Sequence, residues 1–239
     1  MTTVEMSRYI DLLEYDKVEP THPFYREMID EIAKHVRARR PSRILEIGTG
    51  TGLLTQKLSR MPKSHIDAVD IDTNCCNFIK AKFKTETRVQ VINCDAVTYL
   101  SKKPYDIIVS SFSHDHIPYE KRFEFSLNIS KNLKQDGVYI MGNEILPQFK
   151  TEMERKEALR KYHGFIIWKA ITDSHEKLAS LELESLNSGL KKIGDFKRHE
   201  KMLEEEMASS GLEVLLKKKI GPKENIGGVF VYVFKKIIR

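Results

Sequence analysis

Residues Ile44 to Leu53 read ILEIGTGTGL, a short apolar run followed at once by glycines at positions 48, 50 and 52. Ile44, Leu45 and Ile47 have the character of a buried strand, and the glycines behind them mark a tight turn. Glycine lets the backbone take positive φ and lets a ligand come close. Leu53 to Leu58 can then open a helix whose N-terminal amides face that ligand. The pattern is a cradle for a nucleotide or cofactor, or else a turn that only packs a helix closely on a strand. A dinucleotide fingerprint needs Gly-x-Gly-x-x-Gly, and here the third glycine comes one residue early, with Leu53 in its place. Glu46, inside the strand, suits a cationic ligand better than a pyrophosphate.

At 239 residues and 41% hydrophobic, the chain can bury the core of one domain. No apolar run approaches bilayer length and MTTVEMSRYIDLLEYD has no signal-peptide core, so the expectation is a soluble, cytoplasmic protein with no membrane partner. Three cysteines, two of them adjacent (Cys75, Cys76), make no disulfide framework and no zinc pair. The net charge of +6 would suit nucleic acid, but 34 acidic residues are mixed among the 40 basic ones. Dispersed charge of that kind is usually a solvated surface, which weighs against such a partner.

Along the chain, a helix before about Thr21 is followed by a second one carrying Phe24, Met28, Ile32 and Val36 at four-residue spacing. His22 and Tyr25 stand at its entrance, where they could roof a ligand or simply cap the sheet. HIDAVDID supplies a second strand with Asp70 at its end, about twenty residues past the cradle, where a carboxylate can reach a ribose diol. Asp72 reads as a helix cap. RVQVINCDAVTYL gives a third strand with Asp95 beyond it, placed to accept from an exocyclic amine. YDIIVSSFSHDHIP and GVYIMGNEILP give strands four and five, ending in a histidine loop and in Asn143 and Glu144. Strands alternating with helices imply a parallel, doubly wound α/β sheet with ligands beyond its carboxyl edge.

On LEIGTGTG, AVDID, NCDA and YDIIVSS, in that order and spacing, the chain resembles the class I S-adenosylmethionine-dependent methyltransferases over roughly residues 20 to 146 and again from about 195. The resemblance implies a Rossmann-like, mostly parallel seven-stranded sheet, with S-adenosyl-L-methionine as cofactor. It implies that Glu46, Gly48 and Gly50 line the methionine end, with Thr49 and Gly52 in the same turn. Asp70, beside Ile71, would bind the ribose hydroxyls. Asp95, beside Ala96, would meet the adenine amine, and Ser110 would close the site from strand four. It also implies an antiparallel strand pair at the C-terminal edge. The chain then divides into N-terminal helices (1–40), a cofactor-binding half (41–146), a helical insertion between strand five and its helix that would cover substrate (147–194), and a final helix and strands (195–239), with Asp195 capping a helix over 196–210.

The insertion reads as two or more helices, broken or turned near Gly164, Gly189 and Gly194, and Ile167, Ile171, His175, Leu178, Glu182 and Ser185 fall on one face of its long helix. A stripe buried only for packing seldom includes a carboxylate, so His175 and Glu182 are read as lining a cavity, or else as a surface edge, a His–Glu pair in the core, or a homodimer contact. His163 and Trp168 are further substrate-pocket candidates, with Tyr25 from the N-terminal side. In the SHDHI loop, His114 and His116 could act as a base, orient an acceptor, hydrogen-bond the loop, or contribute to a metal site whose complete ligand set is not evident. Glu144 is a second candidate to hold an acceptor amine.

The expected function is methyl transfer to a small-molecule acceptor at N, O or C. RNA, DNA or protein methylation is the alternative, but Ser110-Ser111-Phe112-Ser113 stands where amino-methylating nucleic-acid enzymes carry Asn/Asp-Pro-Pro-aromatic, and no Pro-Cys replaces it. Aminopropyl transfer shares the fold and normally shows an acidic pair around strand four, where this chain has Asp115. A non-catalytic partner subunit would predict an eroded cofactor motif, and the motif is intact.

Overall fold

In the computed structural model, which describes residues 5–237, five parallel strands carry the glycine turn and the acidic strand ends. They are β1 (Arg43–Ile47), β2 (His65–Asp70), β3 (Val89–Asn93), β4 (Tyr105–Ser111) and β5 (Leu133–Ile145). β6 (Leu212–Gly221) and β7 (Gly228–Lys236) form the antiparallel pair that completes a seven-stranded sheet ordered β3-β2-β1-β4-β5-β7-β6. Strand order reverses between β1 and β4, and the crevice beyond the carboxyl ends at such a switch point is where open α/β sheets take ligands.

The helices cover both faces because side chains alternate along each strand. Ile44, Ile107 and Val109 share one face with Met28, Ile32 and Val36 of α2 (Tyr25–Arg39) and Leu54 and Leu58 of α3 (Leu53–Ser59). Leu45, Ile47 and Ile108 look the other way, onto Phe125 and Ile129 of α5 (Arg122–Asn132) and Leu203 and Met207 of α8 (Glu200–Ser209). Each of these large side chains adds roughly 1.5–3 kcal/mol of transfer free energy. α1 (Leu12–Val18) precedes α2, and α4 (Thr73–Lys82) follows β2.

The insertion is helical in more than one piece, as expected, but the place of its break and the continuity of its stripe are corrected. It holds two helices, α6 (Glu152–Thr172) and α7 (Glu176–Lys191), and the chain breaks at 173–175, where Ser174 takes φ 61, rather than at Gly164, which lies inside α6. The six-residue stripe is therefore not continuous, and Ile171 is exposed. Asp195 does not cap a helix over 196–210. α8 starts five residues later and is capped by His199, whose Nδ1 accepts from the Met202 amide at 3.1 Å, while Asp195 is buried among charged partners.

Asp106 at the foot of β4 ties down the start of β1. One carboxylate oxygen accepts from the amides of Ser42 and Arg43 at 2.9 and 2.8 Å and the other from Lys134. Burial would raise this carboxyl's pKa, but Lys134 and the amides hold it at about 2. A depressed carboxylate stabilises the fold above its ordinary range and loses that contribution as pH falls through about 2. Asp106→Asn is expected to cost about 1–2 kcal/mol at pH 7, after allowance for partial exposure, and almost nothing near pH 2. Urea unfolding at the two pH values reads the difference, and an equal loss at both would refute the role.

Candidate functional site

The glycine turn is held open in the left-handed conformation, with φ 65, 53 and 78 at Gly48, Gly50 and Gly52. A methyl group on Gly48 would stand 2.4 Å from Cβ of Ser113, so this position closes tightly under the loop after β4. Asp70 fixes the turn from β2: its Oδ2 accepts from the Gly50 amide at 2.8 Å and its Oδ1 from the Asp72 amide at 2.9 Å. Burial raises the Asp70 pKa, and these two amides oppose the rise. Asp72 caps α4 as expected, accepting from Asn74 and Cys75. It also accepts from the amide and hydroxyl of Ser7 at 2.7 and 2.8 Å, which straps the N-terminal segment across the turn. The buried hydroxyls of Thr49 and Thr51 have no hydrogen-bond partner among the described residues.

A cavity of roughly 590 Å³ opens over this turn. Its floor is the strand ends, with Gly48, Thr49, Gly50, Asp70, Ile71, Asp95 and Ala96 on the wall. Met6, Tyr9 and Ile10 roof one end. The other end is bounded by Tyr15, Glu19 and Tyr25 from the N-terminal helices, Glu182 and Ser185 from α7, and Asp115, His116, Glu144 and Lys197. Phe112 also lines it, in a left-handed conformation (φ 46) rare for a bulky residue, and its ring packs between His22 and Tyr25.

Seven residues that sequence reasoning placed in the site lie off the cavity. Glu46 shares its strand face with Ile44 and points under α3, where burial pushes its carboxyl up to about 8 against the opposing pull of Thr55. Gly52 is the residue before α3, and a methyl group there would meet the Phe83 ring at 2.9 Å, so it serves packing. Ser110 is buried, with its hydroxyl 2.7 Å from that of Tyr139. His114 is core: its Nε2 lies 2.9 Å from Glu206 and its ring packs edge-on against Phe125. His163 is behind the wall, 2.8 Å from Glu182. Trp168 is 59% exposed on α6. His175 sits at the α6–α7 break on a separate surface pocket.

The far end of the cavity is dominated by charge. Lys197, 2% exposed, lies 2.5 Å from Asp195, 3.0 Å from Glu144 and 3.4 Å from Asp115. Burial alone would depress its pKa, but these three carboxylates hold it well above the usual lysine range. Glu144 likewise would be raised by burial, yet Lys197 and the neighbouring imidazoles of His22 and His163 hold it well below the usual carboxylate range. Tyr162 donates to Glu144 at 2.7 Å. His22, Glu144 and Glu182 approach within 4.8 Å of one another, a constellation that no spacing in the sequence reveals. His116 donates from Nδ1 to the Gly194 carbonyl at 2.5 Å, so in the neutral ring the lone pair is on Nε2. Burial would lower this imidazole's pKa, but Asp115, the Gly194 carbonyl and Asp195 raise it. Tyr15, Glu19, Asp195 and Lys197 escaped sequence reasoning as site residues. Lys197 and Asp195 belong to the GDFKRHE run, where a burst of charge between two glycine-marked turns is the only signal.

This sheet order and switch-point cavity are those of the class I S-adenosylmethionine-dependent methyltransferase fold. Residues 22–166 match the spermine/spermidine synthase domain, and the chain belongs to that family. The rRNA adenine N-6-methyltransferase of Escherichia coli is 25% identical over 120 residues, 49% of this chain and 46% of that protein. Malonyl-[acyl-carrier protein] O-methyltransferase 2 of Ilyobacter polytropus is 26% identical over 161 residues, 64% of this chain and 61% of that protein. The chain thus spans between about half and three fifths of the length of these two relatives. Among solved structures, the N-methyltransferase NodS from Bradyrhizobium japonicum WM9, in complex with S-adenosyl-L-homocysteine, superposes with a TM-score of 0.62 at 13% identity, over 90% of this chain and 89% of that one.

Proposed function

We propose that the chain binds S-adenosyl-L-methionine over the glycine turn and transfers its methyl group to a small-molecule acceptor. The residues present fit the cofactor: an open glycine turn, two unpartnered threonine hydroxyls, and carboxylates at the ends of β2 and β3 line one cavity. Gly48 to Gly50 would take the methionine part, Asp70 the ribose and Asp95 the adenine. When bound, the cofactor supplies an electrophilic sulfonium methyl. The chain's part is to hold the acceptor in line, to keep water out under the 6–10 strap and α7, and to receive a proton where the nucleophile carries one.

The observation that carries the small-molecule reading is the far end of the cavity, which is walled by helices and rich in carboxylates. A nucleic-acid phosphate would be repelled there. His116, with Nδ1 tied to the Gly194 carbonyl and its ring on the cavity wall, is the candidate to receive the proton or orient the acceptor. Calorimetry is expected to show heat with both S-adenosyl-L-methionine and S-adenosyl-L-homocysteine, and no heat with either would reject the assignment. His116→Ala is expected to keep cofactor affinity within about twofold and to slow turnover by about 10²-fold, the usual worth of a general base. Unchanged turnover would remove His116 from the chemistry.

The family match favours a second reading, aminopropyl transfer from decarboxylated S-adenosylmethionine. Mass spectrometry of the modified acceptor separates a methyl from an aminopropyl increment. Preferential binding of the decarboxylated nucleoside would favour the second reading.

A further inference from the structure

The net charge of +6 is spread along the sequence, but folding gathers unmatched cations on one edge of the sheet, the edge opposite the cavity. α2, α3 and α4 run back from the carboxyl ends of the strands, so their C-termini stand at the amino ends of β1, β2 and β3. The crossovers from β1 to β2 and from β2 to β3 step the same way across the sheet, which sets α3 and α4 side by side on one face. α2 shares that face with α3. At these helix ends Arg37, Arg39 and Arg40 of α2, Arg60 and Lys63 after α3, and Lys84 after α4 are all exposed. Lys102 and Lys103 join them from the loop before β4. None of these cations makes an ion pair among the described residues. The carboxylates of the same edge are already matched, Asp67 by Arg43, Glu86 by Arg88 and Asp106 by Lys134, although Asp136 at the start of β5 has no such partner.

Two features set this edge apart from the ordinary neutralisation of helix dipoles, which also favours cations at helix C-termini. Lys102 and Lys103 follow no helix, since the described chain has none between β3 and β4. Arg40 and Lys63 take left-handed backbone, with φ 47 and 71, at turns where glycine is the unstrained choice. Neither side chain has a hydrogen-bond partner among the described residues, so the fold carries two cations at a backbone cost that no internal contact repays.

We propose that this amino-end edge docks the phosphate backbone of a nucleic-acid duplex, independently of base sequence. Packed helices lie about 8–10 Å apart, so the three helix ends form a row of about 20 Å, the length of about six base pairs. A linear polyanion matches a row of cations, and an arginine engages phosphate through two parallel hydrogen bonds. Tyr9, Phe123 and Trp168, the exposed aromatic residues, stand on other elements, so the edge offers no platform for stacking unpaired bases. β1 and β2 are five and six residues long, which puts the row about 15–20 Å from the glycine turn. A duplex docked there is held apart from the cavity, and the inference does not rest on methyl transfer.

The test follows the fluorescence anisotropy of a labelled RNA duplex of about 20 base pairs, titrated with the full chain from about 50 to 300 mM KCl. Micromolar affinity is expected at the lowest salt, with log K falling at a slope of about −3 to −4 against log salt, as for about four neutralised phosphates. A duplex of another sequence, or of DNA, should bind within about threefold. Arg37→Glu combined with Arg39→Glu should weaken binding at least about tenfold. Arg40→Gly combined with Lys63→Gly should weaken it several-fold and reduce the slope by about 2, while the melting temperature stays level or rises because glycine relieves both turns. Arg160→Glu makes the same change in net charge on the exposed side of α6 and should leave affinity within about twofold. S-adenosyl-L-homocysteine binding should stay within about twofold of wild type throughout, so that failure of the docking surface and failure of the cofactor reading are told apart. No duplex binding at the lowest salt overturns the proposal, as does a loss in Arg160→Glu equal to that in the glycine pair. Equal or tighter binding of poly-L-glutamate, or of vesicles of phosphatidylcholine and phosphatidylserine in equal parts, would assign the edge to an acidic protein or a membrane instead.

Discussion

Asp70→Ala is expected to weaken S-adenosyl-L-methionine binding by about 10²-fold or more. The Asp70 carboxylate accepts from the Gly50 and Asp72 amides at 2.8 and 2.9 Å, so it fixes both the glycine turn and the first residues of the loop that leads to α4. The substitution removes two charge-assisted hydrogen bonds within the protein as well as the group placed to meet the ribose. Each such bond contributes roughly 1.5–3 kcal/mol, and a 100-fold change in Kd corresponds to about 2.7 kcal/mol. Asp70→Asn separates the two roles. Its amide oxygen can accept one of the two backbone donors and so keep much of the turn, but it loses the charge that a ribose diol would use. Calorimetric Kd values should rank wild type, Asn, then Ala, while the melting temperature of the Asn variant stays within a few degrees of wild type. Nucleoside binding by Asp70→Ala within threefold of wild type would remove Asp70 from the cofactor site.

How far the site could be read from the chain follows from what each signal depends on. Strand ends are legible because apolar runs fix where strands stop, and ligand sites in open α/β sheets lie beyond those stops. Gly48, Asp70 and Asp95 could be placed on one edge that way, and all three line the cavity. Glu46 was misplaced by one step of the strand alternation. Two residues upstream of Gly48 it shares the face of Ile44, so the pleat carries it under α3 and away from the ligand. His114 and His116 are two apart on a short turn, and nothing local says that one ring turns onto Glu206 in the core while the other faces the cavity. In the insertion the glycines are the visible breakers, whereas the left-handed Ser174 that actually divides α6 from α7 has no strong breaker beside it in TDSHE. Glu19 and Lys197 lie 178 positions apart in sequence and meet only because the N-terminal strap and the 195–198 segment close on the same cavity. Such a constellation is tertiary, and no spacing rule can expose it.

Replacing Lys197 by methionine is expected to be the most destabilising change at the site. The ammonium lies within 3.4 Å of three carboxylates, all buried, and among the described residues no other lysine or arginine pairs with Asp195 or Asp115, which also face imidazoles such as His116. A methionine keeps most of the volume but leaves those charges uncompensated, a loss typically of about 3–5 kcal/mol. At 239 residues that corresponds to a melting temperature lower by roughly 10 °C. The pH dependence identifies the cause. In the wild type, Lys197 holds Glu144 and Asp195 below the usual carboxylate range, so their contribution is present above that range and is lost as pH falls. Without the ammonium, burial dominates and both carboxyls move above their unfolded values. Stability is then retained at low pH and lost as pH rises through the raised pKa values. Lys197→Met should therefore fall further behind wild type at pH 8 than at pH 5, and the double change Lys197→Met with Asp195→Asn should recover part of the loss. A deficit that is the same at both pH values would mean that Lys197 contributes packing rather than charge, and the acidic end of the cavity would have to be compensated from elsewhere.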